Sequence, residues 1–164
     1  MTPPNDTPER ETLRVTRLIR APRSKVFDAF VTPEIRRKWW FPEEGMECDL
    51  CEIDARPGGR YRVNMKDPRG EELREYVCSG EFLEVDSPVR LVFSWTWDHE
   101  LAEATDPADV QTRVTVELRE VAEGTEVVIL HEQIRGDEER AGYEMGWDGC
   151  LGSLERAFAA EQIR

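Results

Sequence analysis

The chain has 164 residues, 39% of them hydrophobic, which is enough for one globular domain with a core and too few for two. Its formal net charge of −13 argues against binding to nucleic acid and against docking on anionic membrane surfaces, because both attract cationic proteins. No run of about 18 apolar residues is present, so no segment is expected to span a membrane.

The chain begins with a polar, proline-rich segment. Residues 1–11 lack the apolar run of a secretion signal, and we interpret them as a disordered tail on a cytoplasmic protein. A single domain is expected over residues 12–164. Its first predicted element is a strand from Thr12 to Arg20, in which apolar and polar side chains alternate.

Two short helices are predicted after this strand. Pro22 opens the first helix. Thr32 caps the second, with Pro33 in its first turn, and this helix leads into the consecutive tryptophans Trp39 and Trp40.

From Met46 onward the apolar period changes to two, which predicts six further strands. A long strand is predicted over Glu72–Val85, with a bend at Gly80. The alternating apolar positions of the others include Tyr61, Val63, Met65, Leu91, Phe93, Trp95, Trp97, Val114, Val116, Leu118, Val127, Ile129 and His131. Consecutive strands joined by short turns predict an α+β fold, with a curved antiparallel sheet of about seven strands and the helices on one face.

The last predicted element is one long helix, from about Asp137 to Ile163, with two different faces. On a helical wheel of about 100° per residue, an apolar stripe lies within roughly 40° of Trp147. The stripe consists of Tyr143, Trp147, Leu151, Leu154 and Phe158, and beside it runs a row of small residues, Gly142, Gly146, Gly149, Ser153 and Ala160. Each glycine in a helix interior costs about 1 kcal/mol relative to alanine. The helix is therefore expected either to lie close to another backbone or to leave open space beneath it.

Four cysteines are present, and two of them, Cys48 and Cys51, have a spacing known from zinc and redox sites. Neither a second pair nor a nearby histidine accompanies them. On a regular strand these two positions point to opposite faces, which does not suit a shared metal. We interpret them, with Cys78 and Cys150, as structural thiols, and we expect neither a metal site nor a cofactor.

The two histidines, His99 and His131, are expected near one end of the sheet and about 10 Å apart, which is wide for a shared metal ion. His131 has the parity of an inward-facing residue. There an imidazole could bind a ligand, act as an acid or base near neutral pH, or simply belong to the core. The acidic segment 98–111 contains neither lysine nor arginine, and we interpret it as a solvated connection or as a lid.

Seven motifs occur in the chain in a characteristic order. They are residues 21–30, Thr32-Pro33-Glu34 leading to Trp39-Trp40, residues 56–61, 80–85, 88–95 and 124–127, and Gly146-Trp147 with Leu151 and Leu154. Together they resemble the START-like SRPBCC superfamily, which includes polyketide cyclase-like proteins. More narrowly, they resemble its branch named for the activator of heat shock protein 90 ATPase. The resemblance covers nearly all of residues 12–158. It implies a helix-grip fold, in which a curved sheet wraps around the last helix and encloses a cavity.

We therefore expect the cavity to bind a small hydrophobic molecule, such as a lipid, a steroid or a polyketide. Its wall is expected to come from Phe30, Trp39, Trp40, Tyr61, Met65, Trp95, Trp97, His131, Trp147 and Leu151.

Two alternatives stay open beside ligand binding. The same cavity could serve a cyclase- or hydrolase-type enzyme, with His131 as the main polar candidate. The family also includes chaperone regulators, although the sequence lacks the additional domain that full-length eukaryotic chaperone activators carry. The oligomeric state is open, and a homodimer is one alternative.

Overall fold

A computed structural model describes residues 10–161 and Ile163. The strands are β1 (Arg10–Ile19), β2 (Glu47–Ile53), β3 (Arg60–Asp67), β4 (Arg74–Asp86), β5 (Arg90–Trp97), β6 (Thr112–Val121) and β7 (Gly124–Arg135). The helices are α1 (Arg23–Val31), α2 (Pro33–Arg36), α3 (Asp98–Glu103) and α4 (Gly136–Ala159), and a 3-10 turn spans Pro107–Asp109. Within these residues, none of the helices combines the length and the apolarity that crossing a bilayer requires.

The seven strands form one antiparallel sheet in the order β1-β7-β6-β5-β4-β3-β2. Strands that follow one another in the chain are neighbours from β2 to β7, and β1 pairs with β7 at the far edge. The alternating pattern places the expected side chains inward: along β3, Tyr61 and Val63 are buried while Arg60 and Arg62 are exposed. The predicted α+β fold, a curved seven-stranded antiparallel sheet with a long closing helix, is confirmed.

Several predicted boundaries differ from the structure. β4 spans Arg74–Asp86, where Glu72–Val85 was predicted. β1 already pairs with β7 at Arg10, so the strand begins before the predicted Thr12, and residues 1–9 of the predicted tail lie outside the described residues. α4 ends at Ala159, before the predicted Ile163.

The closing helix is fixed along one flank. α4 packs extensively against β1 and also contacts β7, and its apolar stripe is buried at Trp147 and Leu151. Arg17 of β1 forms ion pairs with two carboxylates of α4, at 3.1 Å to Asp148 and 2.9 Å to Glu155. Because the contacts of α4 concentrate on β1 and β7, its other flank is free to face β3, β4 and β5 across a gap.

The segment predicted as a solvated connection contains regular structure, namely α3 and the 3-10 turn. Arginines of the sheet supply the bases that the segment itself lacks. Arg62 pairs with Asp98 at 2.6 Å, and Arg135 pairs with Glu100 at 2.8 Å. These ion pairs tie α3 to β3 and β7, so this part of the segment is not an uncompensated acidic loop.

Candidate ligand-binding pocket

A cavity of about 390 Å³ lies in the gap between α4 and the strands that α4 does not cover. This volume falls within the range of small-molecule sites, about 300–1,000 Å³. Much of the wall is aromatic or thioether carbon, from Trp40, Met46, Met65, Trp95, Trp97 and Trp147. Such a wall favours a guest that gains free energy by leaving water.

The glycines of α4 serve two purposes at different points along the helix. Some face open space, and one lies close to another backbone. Gly142 and Gly146 line the cavity, and a Cβ added to either would meet no atom within 4 Å. At Gly149 the same added atom would lie 2.5 Å from the carbonyl oxygen of Pro42. The helix therefore leaves room over its first turns and touches another backbone further along.

Half of the predicted wall residues line this cavity. Those that line it are Trp40, Met65, Trp95, Trp97 and Trp147, while Phe30, Trp39, Tyr61, His131 and Leu151 are buried outside the lining. Two of the latter are held by core hydrogen bonds. The Trp39 indole donates to the carbonyl of Ala29 at 2.9 Å, and the Tyr61 hydroxyl donates to the carbonyl of Ser94 at 2.6 Å. For these five residues, contact with a ligand stays a prediction.

Tyr143 lines the cavity, although its spacing along the helix predicted only a place in the apolar stripe. Its hydroxyl accepts a hydrogen bond from the Trp97 indole at 2.8 Å, and its ring lies 4.1 Å from the ring of His131 between centroids. Its position one helical turn before Trp147 was the available signal, because residues four apart share a helix face.

His131 is fully buried, as its parity predicted, and both of its ring nitrogens are engaged within the protein. The Trp147 indole donates to Nδ1 at 3.1 Å, and Nε2 lies 2.8 Å from the hydroxyl oxygen of Thr112. Because an indole N–H can only donate, Nδ1 must be the acceptor, and the ring proton belongs on Nε2. Nε2 then donates to Thr112, whose hydroxyl donates to the carbonyl of Trp95 at 3.4 Å.

Burial lowers the pKa of His131 to about 3, because the charged imidazolium loses its hydration. The ring is therefore neutral at neutral pH and has no free nitrogen to offer. A general acid or base works best with a pKa near the operating pH and with access to the transferred proton. His131 meets neither condition, and its arrangement is that of a residue that positions Trp147.

Two hydrogen-bond donors of the aromatic wall are unsatisfied. Among the described residues, the indole nitrogens of Trp40 and Trp95 are buried and have no hydrogen-bond partner. Leaving a buried donor unpaired costs about 1–3 kcal/mol. Both rings line the cavity, but the two nitrogens themselves have no accessible surface, so the rings present carbon to it.

Charged residues gather at one part of the lining. Arg69 forms ion pairs with Glu43 and with Asp67, the latter at 2.8 Å, and hydrogen bonds from Arg69 hold the pKa of the Asp67 carboxyl below its usual range. Arg74 is exposed, also lines the cavity, and lies opposite Asp67 in the register of β3 and β4. The polar part of the lining therefore consists of charged side chains, most of which are ion-paired with one another.

A second cluster lies on β2, where the two closely spaced cysteines share one face. A bulge shifts the register between Cys48, which lies opposite Met65, and Leu50, which lies opposite Asn64. Because the extra residue reverses the alternation, Cys48 and Cys51 are 8% and 3% exposed, and the predicted opposite orientation is wrong. The Cys48 thiol donates to the carbonyl of Leu50 at 3.4 Å, and interaction with the Cys51 thiol, together with burial, raises the pKa of Cys48.

A buried arginine accompanies these thiols. Arg36 is 4% exposed, its Nη1 donates to the carbonyl of Phe30 at 2.8 Å, and its guanidinium lies 3.9 Å from the centroid of a Trp40 ring. Among the described residues, its Nε and Nη2 have no hydrogen-bond partner. α2, which carries Arg36, packs against β2, and the charge of Arg36 acts on both Cys48 and Cys51.

The four thiols are free, and no group of three or more histidine, cysteine or acidic side chains within residues 10–161 could hold a metal ion. Burial raises the pKa of Cys78, and it raises that of Cys150 to about 12. These two thiols therefore stay protonated, as structural thiols do.

Comparison with known proteins adds a family to this geometry. A family model described as activator of Hsp90 ATPase homolog 1-like protein matches residues 20–159. The chain is similar to a solved structure from Chromobacterium violaceum, with 26% identity over 89% of this chain and 96% of that chain and a TM-score of 0.72. A structure from Nitrosomonas europaea is 26% identical over 92% of this chain and 96% of that chain, with a TM-score of 0.72. For an AHSA1 protein from Silicibacter pomeroyi, the identity is 24% over 92% of this chain and 99% of that chain, and the TM-score is 0.75. No curated protein matches the chain.

Proposed function

We propose that this chain, which belongs to the activator of Hsp90 ATPase homolog 1-like family, binds a small and largely apolar molecule in the cavity between α4 and the sheet. The observation that carries the proposal is the open space beneath Gly142 and Gly146. Glycine in a helix interior destabilises the helix, so two of them facing a void indicate that the void itself is useful.

The wall supports a largely apolar guest. Burying apolar area contributes about 25 cal/mol per Å², and four tryptophans line the cavity. The charged residues Asp67, Arg69 and Arg74 at one part of the lining favour a guest whose remaining end is polar. Lipids, steroids and polyketides share this chemistry.

The structure offers less support for catalysis in the same cavity. His131, the main candidate for acid–base chemistry, lies outside the lining and has both nitrogens in hydrogen bonds. Among the charged lining residues, Arg69 is ion-paired with both Glu43 and Asp67. A role as a chaperone regulator stays a prediction, which stimulation of a chaperone ATPase by the purified protein would test.

Substitution of Gly146 by leucine is expected to weaken ligand binding at least tenfold, because the added side chain would occupy the cavity. The neutral dye N-phenyl-1-naphthylamine would be titrated into the protein, with energy transfer from the wall tryptophans as the readout. Fatty acids, steroids and aromatic polyketides would then be added as competitors.

The matched control is Met145→Leu, one residue away on the same helix, where the side chain is 75% exposed. This variant should bind the dye as the unmodified protein does. Dye binding that does not saturate, or equal affinity in the Gly146→Leu variant, would contradict the proposal.

A further inference from the structure

We infer that Cys48 and Cys51 form a two-thiolate site for a monovalent soft metal ion, Cu(I), with Arg36 as its buried counter-charge. The site lies on β2 beneath α2 and adjoins the proposed cavity, whose lining includes Met65. Neither thiol belongs to the cavity lining.

The positive charge of Arg36 is buried without a matching anion. A buried cation costs several kcal/mol unless an anion or a full set of hydrogen bonds compensates it. Among the described residues, no carboxylate forms an ion pair with Arg36, and only one of its three nitrogens has a hydrogen-bond partner. The contact with the Trp40 ring stabilises the cation only in part. The fold therefore leaves one positive charge without an anion.

The two sulfurs lie on one side of β2. The bulge turns Cys48 and Cys51 to the same buried face, and α2, which carries Arg36, packs against this strand. Met65 lies directly opposite Cys48 on β3, and residues in this relation have their Cβ atoms about 4.5–5.5 Å apart. Two thiols with a thioether beside them are the soft ligands that select Cu(I).

The charge of the complex favours a monovalent ion. When Cu⁺ binds, both thiol protons are released to solvent, and two thiolates with one Cu⁺ carry one negative charge, which balances Arg36. A divalent ion would leave an excess positive charge next to Arg36. Zinc would in addition need further ligands, and no third histidine, cysteine or acidic group completes a site within the described residues.

The test uses the purified full chain, kept reduced and free of oxygen, loaded with Cu(I) from its acetonitrile complex. The competitor is bathocuproine disulfonate, whose Cu(I) complex is coloured. One Cu(I) per chain should be retained, and the Cys48→Ser and Cys51→Ser variants should each lose at least tenfold in affinity. Cys78→Ser and Cys150→Ser are the matched controls and should retain copper, because Cys78 lies two strands from Cys51, on β4, and Cys150 lies on α4.

X-ray absorption on the unmodified copper complex keeps the test independent of how the variants fold. It should show two or three sulfur atoms around copper. A shell of nitrogen or oxygen alone, loss of copper from the unmodified protein, or equal losses in the Cys78 and Cys150 controls would each overturn the proposal. Zinc retained as strongly as copper would overturn the charge argument.

Discussion

Lowering the pH from about 6.5 to about 4.5 is expected to reduce the free energy of unfolding by roughly 2 kcal/mol through His131 alone. The folded pKa of this residue is about 3, against 6.5 for an ordinary histidine. Between these values the unfolded chain binds a proton that the folded chain excludes. The contribution of His131 is therefore complete about one pH unit above the unfolded pKa. Below about pH 6 it decreases by about 1.4 kcal/mol for each pH unit, down to the folded pKa.

The control for this effect is His131→Gln. A glutamine oxygen can accept from the Trp147 indole and its amide can donate to Thr112, but it cannot titrate. Urea unfolding of both proteins at several pH values gives the comparison. Carboxylates titrate in both, so their effect cancels in the difference, whose slope reports His131. Parallel curves for the two proteins would refute the assignment of a buried, neutral imidazole.

Substitution of Gly149 by alanine is expected to destabilise the protein by about 2–3 kcal/mol, whereas Gly146→Ala is expected to stabilise it by about 1 kcal/mol. The added Cβ at Gly149 would lie 2.5 Å from the Pro42 carbonyl oxygen and 2.8 Å from the Pro42 Cα, so backbone would have to move. At Gly146 no atom lies within 4 Å, and only the gain in helix propensity remains.

The two substitutions are chemically identical and lie on one helix, so each is the control for the other. Thermal unfolding, followed by tryptophan fluorescence, measures both. A change of 1 kcal/mol corresponds to about 2–4 °C in a domain of this size. Shifts of the same sign would contradict the view that α4 changes from an open to a closed contact along its length.

The sequence was sufficient for those parts of the fold that depend on local pattern. Alternation along β3 and the stripe around Trp147 are properties of neighbouring residues, and both side-chain orientations are confirmed. The local pattern could not predict to which face of β2 the Cys51 side chain points. That orientation depends on a bulge at Asp49, which arises from the pairing of β2 with a strand that follows it in the chain.

The sequence predicted the kind of site, a cavity with an aromatic wall, but only some of the residues that line it. Trp39 and Trp40 are consecutive, and no local pattern distinguishes the one that faces the cavity. Trp39 instead donates to the carbonyl of Ala29 near the end of α1, a contact between two elements. The inward position of His131 followed from parity, but its partners Thr112 and Trp147 come from β6 and α4. Hydrogen bonds between distant segments decide whether such a residue is a core or a catalytic group.

The ion pairs of Arg17 with Asp148 and Glu155 hold α4 to β1 on the side away from the cavity. Because α4 is attached along this side, its opposite side can move outward when a larger molecule enters. The range of ligand sizes then depends partly on these surface ion pairs. A substitution of Arg17 would widen that range even if every residue of the cavity wall stayed the same.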